Sequence, residues 1–498
     1  MRRVLIANRG EIAVRIARTC HEAGLDTVAV YSDADRGAPH TLVASRAIPI
    51  GPAAAQRSYL DVEALIAAAR TAGADAVHPG YGFLAEHAAF ARAVTDAGLV
   101  WIGPPAQAIA TMGDKLAARA AVRQAGVPVV PGTEVIAGDP HSAAHTAREL
   151  GYPLLVKAAA GGGGKGMRTV ASEGELVDAL AAAAREAEAA FADGRVYLER
   201  LLMRPRHVEV QIVGDRRGTL LHLGERECSI QRRHQKIVEE TPCPVMHPRL
   251  RARMTEAALA AARAIEYSSA GTVEFLLDAD GERFYFLEMN TRLQVEHPIT
   301  EWVTGLDIVA LQLLVARGEA LPFRQEELRF QGHAIETRLY AEDPAASFFP
   351  SAGPILALRE PAGPGIRVDS GIRAGMAVPV EYDPLLAKLS AWGPTREVAI
   401  ARLRAALRET VLLGPTTNLQ FLQDVLAHEA FRRGETHTGF LAEHFPAWQP
   451  SDTGLDEAAL AAALALRAQT PTPLALAPGE TPRPLGPWDT LGRWRLGT

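Results

Sequence analysis

The sequence predicts an α/β and α+β chain of several domains, led by a parallel sheet. Two observations carry that prediction. Over residues 1–113, apolar strand-like runs alternate with amphipathic helical runs at the spacing of βαβ units. From residue 150 onward, strands pair around a glycine loop and an Asp-Gly turn, and antiparallel-looking segments dominate after residue 330.

The elements follow in order. RVLIA (3–7) reads as a buried strand, 11–23 as an amphipathic helix closed by Gly24, and TVAVY (27–31) as the next strand. Helix, strand, helix and strand then alternate through LVWIGPP (99–105), and this first domain ends near residue 113. Its first turn, ANRGEIA, holds one glycine and lacks G-x-G-x-x-G, which argues against dinucleotide binding. HPGYGFLAE (78–86) follows a strand, where sites of open α/β sheets lie, so this loop is expected to face an active site. A helix over 115–127 comes next, then a strand over 152–158, the glycines, and a strand at MRTV. SEGELVDALAAAAREAEAAF is a long helix; VYLERLL and RHVEVQIVGD are strands; 250–266 is helical; 272–290 is a hairpin around Asp280-Gly281. A third domain with one helix over 396–410 ends near residue 446. Residues 455–469 read as a helix, and six prolines in 470–487 have the composition of a linker.

Length allows two to four domains. Net charge is −6, which gives no reason to expect nucleic acid or membrane partners. With no secretory h-region, no membrane-length apolar run, and three cysteines without zinc spacing, a cytoplasmic enzyme is expected. Of 52 basic residues, only five are lysine: Lys115, Lys157, Lys165, Lys236 and Lys388. Where coding bias favours Arg, positions that keep Lys are candidates for needing a compact ammonium instead of a wide planar fork.

Four stretches carry chemistry. KAAAGGGGKGMR (157–168) is not a Walker A loop; Gly161, Gly163 and Gly166 fit G-x-G-x-x-G but run into a strand, not a helix. The alternatives are a flap whose amides fold over phosphates, with Lys157 and Lys165 for charge, or a loose surface hairpin. Glu274 and Glu288 sit inside apolar strands, with Asn290 on the face of Glu288; they are hard ligands suited to Mg²⁺, or members of structural salt bridges. Arg292, Gln294 and Glu296 alternate, so in an extended segment they share a face that could hold a small anion and take its proton, or form a solvated edge. In ERECSIQRRHQK (225–236), Gln231, His234 and Lys236 suit anion contact, and Cys228 reads as a small buried residue.

In chain order, IANRGEIA, HPGYGFLAE, GGGGKGMR, IQRRHQK, EMNTRLQVEHP, ETRLYAEDP and YDPLLAKL resemble the biotin carboxylase family of ATP-grasp enzymes over residues 1–446. The resemblance implies a Rossmann-like N-terminal (pre-ATP-grasp) domain over 1–113 and an ATP-grasp domain over 114–330 with a mobile glycine-rich lid at about 130–204. A mixed α+β C-terminal domain over 331–446 and a tail over 447–498 complete it. It implies that ATP and bicarbonate give carboxyphosphate and ADP, and that CO₂ from carboxyphosphate then carboxylates N1′ of biotin. By motif, Lys115, Lys157, His207, Gln231 and His234 would contact ATP, with Glu199, Leu202 and Leu276 about the adenine and Gly161, Gly162, Gly163, Gly164, Lys165, Gly166 and Met167 as the lid. Glu274 and Glu288, with Asn290, would hold Mg²⁺ or Mn²⁺. Lys236, Arg292, Gln294 and Val295 (through its backbone) would bind bicarbonate, Glu296 would be the general base, and Arg338 would stabilise the enolate-like oxygen of deprotonated biotin. Lys388 has no implied role. Position 200 is Arg where the family usually has Lys, so altered nucleotide affinity is expected. No lysine lies beyond Lys388, so biotin is expected on a separate carrier protein or domain. A carboxyltransferase subunit is expected for a further partner, and a homodimer for the assembly. The tail, ending in PWDTLGRWRL, resembles the join in acyl-CoA carboxylase α chains of the methylcrotonyl-CoA and propionyl-CoA kind. Acetyl-CoA or pyruvate carboxylase subunits, and a truncated nucleotide-binding chain without catalysis, are the alternatives.

Overall fold

In the computed structural model, residues 1–133, 140–159, 167–191 and 193–451 are described. The glycine loop and most of the tail lie outside them. The N-terminal sheet is parallel with strand order β3-β2-β1-β4-β5, where β1 is Arg3–Ile6, β2 Asp26–Ser32, β3 Arg46–Gly51, β4 Ala76–His78 and β5 Val100–Trp101. Strand order reverses between β1 and β4, so the turns after these two strands open on a shared crevice. Gly80 is needed there. Its φ is +65°, and a Cβ would stand 2.9 Å from Nδ2 of Asn8, which donates to the carbonyls of Pro79 and Tyr81. Helix Gly10–Glu22 buries Ile12, Ile16 and Cys20 against this sheet.

The site is built on a second sheet of eight strands. Its order is β13-β12-β9-β10-β11-β14, then the strands Leu385–Gly393 and Ile366–Ser370; β9 is Arg206–Gly214, β10 Leu220–Arg232, β11 Gln235–Thr241, β12 Ser269–Leu277, β13 Phe284–Asn290 and β14 His333–Tyr340. A boundary near residue 330 therefore falls between strands of one continuous sheet. The period of two explains its faces. In β9, Val208, Val210 and Ile212 pack on Leu250, Met254 and Ala258 of helix Pro248–Arg263, which leaves His207, Glu209 and Gln211 on the other face. In β12, Val273, Phe275 and Leu277 join the same core, and Thr272, Glu274 and Leu276 turn the other way.

A three-stranded sheet, order β7-β6-β8, holds Leu154–Ala158 (β6) in the centre, with Arg168–Val170 (β7) and Val196–Arg200 (β8) antiparallel to it. The strands predicted on either side of the glycine loop thus form a hairpin. Leu154 and Val156 pack against helix Glu173–Phe191 through Leu176 and Leu180, and Lys157 faces away from that core. Met1–Trp448 forms one compact unit. Among the described residues, no single helix is long and apolar enough to cross a membrane.

Candidate functional site

Strand register places a row of carboxylates across the large sheet. Glu209 of β9 is opposite Glu274 of β12, which is opposite Glu288 of β13. Directly opposed like charges are destabilising, so cations must intervene. At one end Arg226 of β10, opposite Glu209, donates to Glu209 at 2.6 Å, and also to Gln211, Thr300, Thr272 and Gln294. Lys236 supplies the second cation: its Nζ donates to Glu209 at 2.5 Å, Glu274 at 2.8 Å and Glu296 at 2.7 Å. Burial works against charge on Glu274, but Lys236 and His207 outweigh it and hold the carboxyl well below its usual range. Glu209, hemmed in by burial, is raised despite its two cations.

The other end of the row differs. Glu288 is solvent-exposed and, among the described residues, within ion-pair distance of no cation, though the charge of Lys115 acts on it. The protein packed around it, and then the Glu274 charge, raise its carboxyl above the usual value. Here the expectation of two buried carboxylates is corrected: Glu274 is buried, Glu288 opens into a cavity. Two facing carboxylates, one in no ion pair among the described residues and only approached by Lys115, beside the Asn290 amide, fit a hard divalent cation.

The segment after β13 is not extended, as the alternation of Arg292, Gln294 and Glu296 had suggested. It bends at Arg292 and turns at Val295 and Glu296 into helix His297–Thr304, with Glu296 as N-cap and Pro298 in the first turn. The turn still brings the three side chains to one place. Glu296 accepts from Lys236 and, at 2.9 Å, from Arg338. Burial opposes its charge, but Lys236 and Arg338 overcome this and hold the carboxyl far below the usual range. Gln294 donates to Glu274 at 2.8 Å. Arg292 donates to Glu86 at 2.8 Å and to Asn290 at 2.7 Å, so the HPGYGFLAE loop does reach this site. Arg338 also donates to Glu239 at 2.5 Å, and burial pushes Glu239 up to about 7.

Further along the sheet face, Lys157 donates to Glu199 at 2.7 Å, and Arg119 also reaches Glu199. Burial and then Lys157 lower Lys115 below its ordinary value. Burial and Lys157 also lower His234, which sits at the β10–β11 turn with φ +69°.

Most of these groups line one cavity of about 630 Å³, with Glu209, Arg226 and Glu239 behind its wall. Every described residue nominated from the sequence lines it: Lys115, Lys157, Met167, Glu199, Leu202, His207, Gln231, His234, Lys236, Glu274, Leu276, Glu288, Asn290, Arg292, Gln294, Val295, Glu296 and Arg338. Arg200 lines it too. Gly161 to Gly166, with Lys165, lie outside the described residues. Cys228 is fully buried with a thiol pushed well up by burial, which makes it an inert neighbour of Glu296. Sequence reasoning missed Glu209, Arg226 and Glu239. Glu209 carried the same signal as Glu274, a carboxylate inside an apolar strand.

Comparison with known proteins agrees with this architecture. Family models described as the biotin carboxylase N-terminal domain, the carbamoyl-phosphate synthase L chain ATP-binding domain and the biotin carboxylase C-terminal domain match residues 1–109, 114–324 and 336–443. A pyruvate carboxylase subunit of Methanothermobacter thermautotrophicus is 49% identical over 442 residues, covering 89% of this chain and 90% of that protein. The mitochondrial methylcrotonoyl-CoA carboxylase alpha chain of Dictyostelium discoideum is 46% identical over 499 residues, covering 99% of this chain and 70% of that one. The biotin carboxylase domain dimer of Hydrogenobacter thermophilus 2-oxoglutarate carboxylase, solved with MgADP, ADP and bicarbonate, superposes with a TM-score of 0.86 at 44% identity, covering 91% of this chain and 99% of that one. The same three domains in the same order, nearly half of the residues shared, and one cavity gathering the family's motifs leave a single conclusion: the chain belongs to the biotin carboxylase family of ATP-grasp enzymes.

Proposed function

We propose that the cavity divides the family's reaction, ATP- and bicarbonate-dependent carboxylation of biotin, between two ends. At one end Lys115, Lys157, His207, Gln231 and His234 take the triphosphate, with Glu199, Leu202 and Leu276 about the base. The mutual repulsion of Lys115 and Lys157 supports this, because an anion between them relieves it. Glu274 and Glu288, with Asn290, would hold Mg²⁺ or Mn²⁺, which supplies charge neutralisation for the phosphates.

At the other end Lys236, Arg292, Gln294 and the Val295 backbone hold bicarbonate, and Glu296 takes its proton. The observation that carries this reading is the Lys236–Glu296–Arg338 bridge. With both cations donating to it, Glu296 is a weak base. A bicarbonate that draws Lys236 to its own oxygens withdraws part of that stabilisation and adds a like charge beside the carboxylate. Both changes raise its basicity. Base strength is thereby conditional on the substrate being in place. As Glu296 takes the proton and loses its charge, its hold on Arg338 weakens, and Arg338 can face the oxygen of biotin.

The chain serves as the biotin carboxylase subunit of an acyl-CoA carboxylase, as a homodimer, with biotin on a separate carrier and a carboxyltransferase as partner. The methylcrotonoyl-CoA carboxylase relative supports this, since its match extends over 99% of the chain. The pyruvate carboxylase relative favours a second reading, the same half-reaction in a pyruvate enzyme. The test is ADP release from MgATP with and without bicarbonate and free biotin, followed by purified carriers from each type of complex. Release that needs bicarbonate and rises with biotin is expected; MgATP turnover indifferent to bicarbonate refutes the reading.

A further inference from the structure

Lys388 is 1% exposed, yet nothing in the reaction described so far uses it. Its ammonium donates to the carbonyl of Val295 at 2.6 Å and stands 3.4 Å from Oε1 of Glu11. In the sheet it is opposite Arg338 on one side and Asp369 on the other. Val295 immediately precedes Glu296. The neighbouring carbonyl, that of Gln294, is engaged by Nδ1 of His297 at 2.7 Å. Both peptide carbonyls before the base are therefore fixed.

Glu11 is also bonded by the Tyr81 hydroxyl, and Asn8 pins the Tyr81 carbonyl. Asn8 and Glu11 follow β1, and Tyr81 follows β4, so all three stand at the switch point of the N-terminal sheet. That crevice, where other open sheets hold a ligand, here clamps a lysine of another sheet. Glu11 pairs with the ammonium, and Asp369, bonded by Arg367, adds negative charge from the neighbouring strand. Burial opposes charge on Asp369, but Lys388 and Arg367 hold it below its usual value.

We infer that Lys388 is a positioning residue: anchored by Glu11 and Tyr81, it fixes the Val295 carbonyl and thereby sets the backbone that carries the bicarbonate contact and Glu296. This rests on the proposed bicarbonate site. It gives the N-terminal domain a part in the chemistry without any contact with nucleotide. It also accounts for a lysine kept in a chain with only five, since a guanidinium is wider than this enclosed point contact.

The test is steady-state ADP release with free biotin on the full chain, with MgADP affinity measured by calorimetry. Lys388→Met is expected to raise the KM for bicarbonate about tenfold, or ~1.4 kcal/mol, with MgADP affinity unchanged. Glu11→Gln is expected to raise it about threefold, and the double variant no further than Lys388→Met alone, because Glu11 acts through Lys388. Should Lys388→Met fail to fold, Glu11→Gln decides by itself. An unchanged bicarbonate KM in Glu11→Gln, equal losses in MgADP affinity, or multiplying effects overturn the inference. Lys236→Met separates the two levels. If it raises the bicarbonate KM while Lys388→Met and Glu11→Gln are silent, only the positioning role falls. If it too is silent, the bicarbonate site itself is wrong.

Discussion

Replacing Glu296 with Gln tests the base at nearly constant volume. The carboxylate accepts one bond from Lys236 at 2.7 Å and one from Arg338 at 2.9 Å. An amide oxygen can keep one of them. Neither cation is orphaned, because Lys236 retains Glu209 and Glu274 and Arg338 retains Glu239. The stability cost is therefore on the order of 1–2 kcal/mol, below the ~3–5 kcal/mol of stranding a buried charge. Catalysis loses much more. A positioned general base contributes about 10²–10⁴-fold, or ~3–5 kcal/mol of barrier. Bicarbonate-dependent ADP release is thus expected to fall at least about 100-fold. MgADP binding, whose proposed residues make no direct bond to Glu296 and meet it only through Lys236, is expected to hold within about twofold by calorimetry. Turnover within about tenfold of the parent removes Glu296 from the role of base. Loss of MgADP binding refutes the separation of the two ends.

Three other perturbations probe the frame around that base. Glu288→Gln is expected to raise the Mg²⁺ concentration for half-maximal ADP release about tenfold, without lowering the urea midpoint, because Glu288 has no ion-pair partner among the described residues and repels Glu274; an unchanged Mg²⁺ requirement refutes its part in the metal site. Arg226→Met strips Glu209 of one of its two cations and leaves Gln211 and Thr300 without their donor, so a loss of ~3–5 kcal/mol in urea unfolding is expected, and a loss under ~1 kcal/mol refutes the account of the carboxylate row. Glu239, at about 7 in the fold, keeps a proton that the unfolded chain releases near pH 4.3, so its contribution is complete at low pH and is lost as pH rises through about 7. Relative to Glu239→Gln, the parent is expected to lose on the order of 1–3 kcal/mol between pH 5 and 8, and parallel pH–stability curves refute the shift. Glu274 and Glu296 have the opposite sign: their folded values are depressed, so their contribution is present above about pH 4.3 and is lost as pH falls below it.

The layers of the fold were legible because periodicity and turns are local. The parallel sheet, the hairpin around Asp280-Gly281 and the strands flanking the glycine loop all follow from patterns within twenty residues. The shape of 290–296 was not legible from alternation alone. Arg292, Gln294 and Glu296 alternate as in a strand, while the Pro298 that starts a helix lies just beyond them; the helix start governs, because Pro at the first turn pre-sets its φ. Glu209 was legible in principle. Its strand, RHVEVQIVG, places a carboxylate among valines, and what the sequence does not state is the register that sets it against Glu274. Lys388 stayed without a role because its partners are distant in sequence: Glu11 and Val295 reach it from the first turn of helix Gly10–Glu22 and from the turn before another helix.

The scarcity of lysine finds a geometric reason in the same contacts. Lys236 meets Glu209, Glu274 and Glu296 from three directions. An ammonium has three N–H groups spread about one axis and can serve all three carboxylates from one point. A guanidinium holds its donors in a plane, suited to two parallel bonds with one carboxylate, which is the way Arg396 meets Glu240 and Arg251 meets Glu225. Arginine also serves scattered acceptors where there is room for its width, as Arg226 does for Glu209, Gln211 and Thr300. Where three carboxylates meet one nitrogen, as at Lys236, or one carbonyl is fixed in a closed space, as at Lys388, the compact ammonium fits. At Lys236 and Lys388 the single nitrogen suits the acceptors around it, and these two contacts tie the base at Glu296 both to the carboxylate row and to the N-terminal domain.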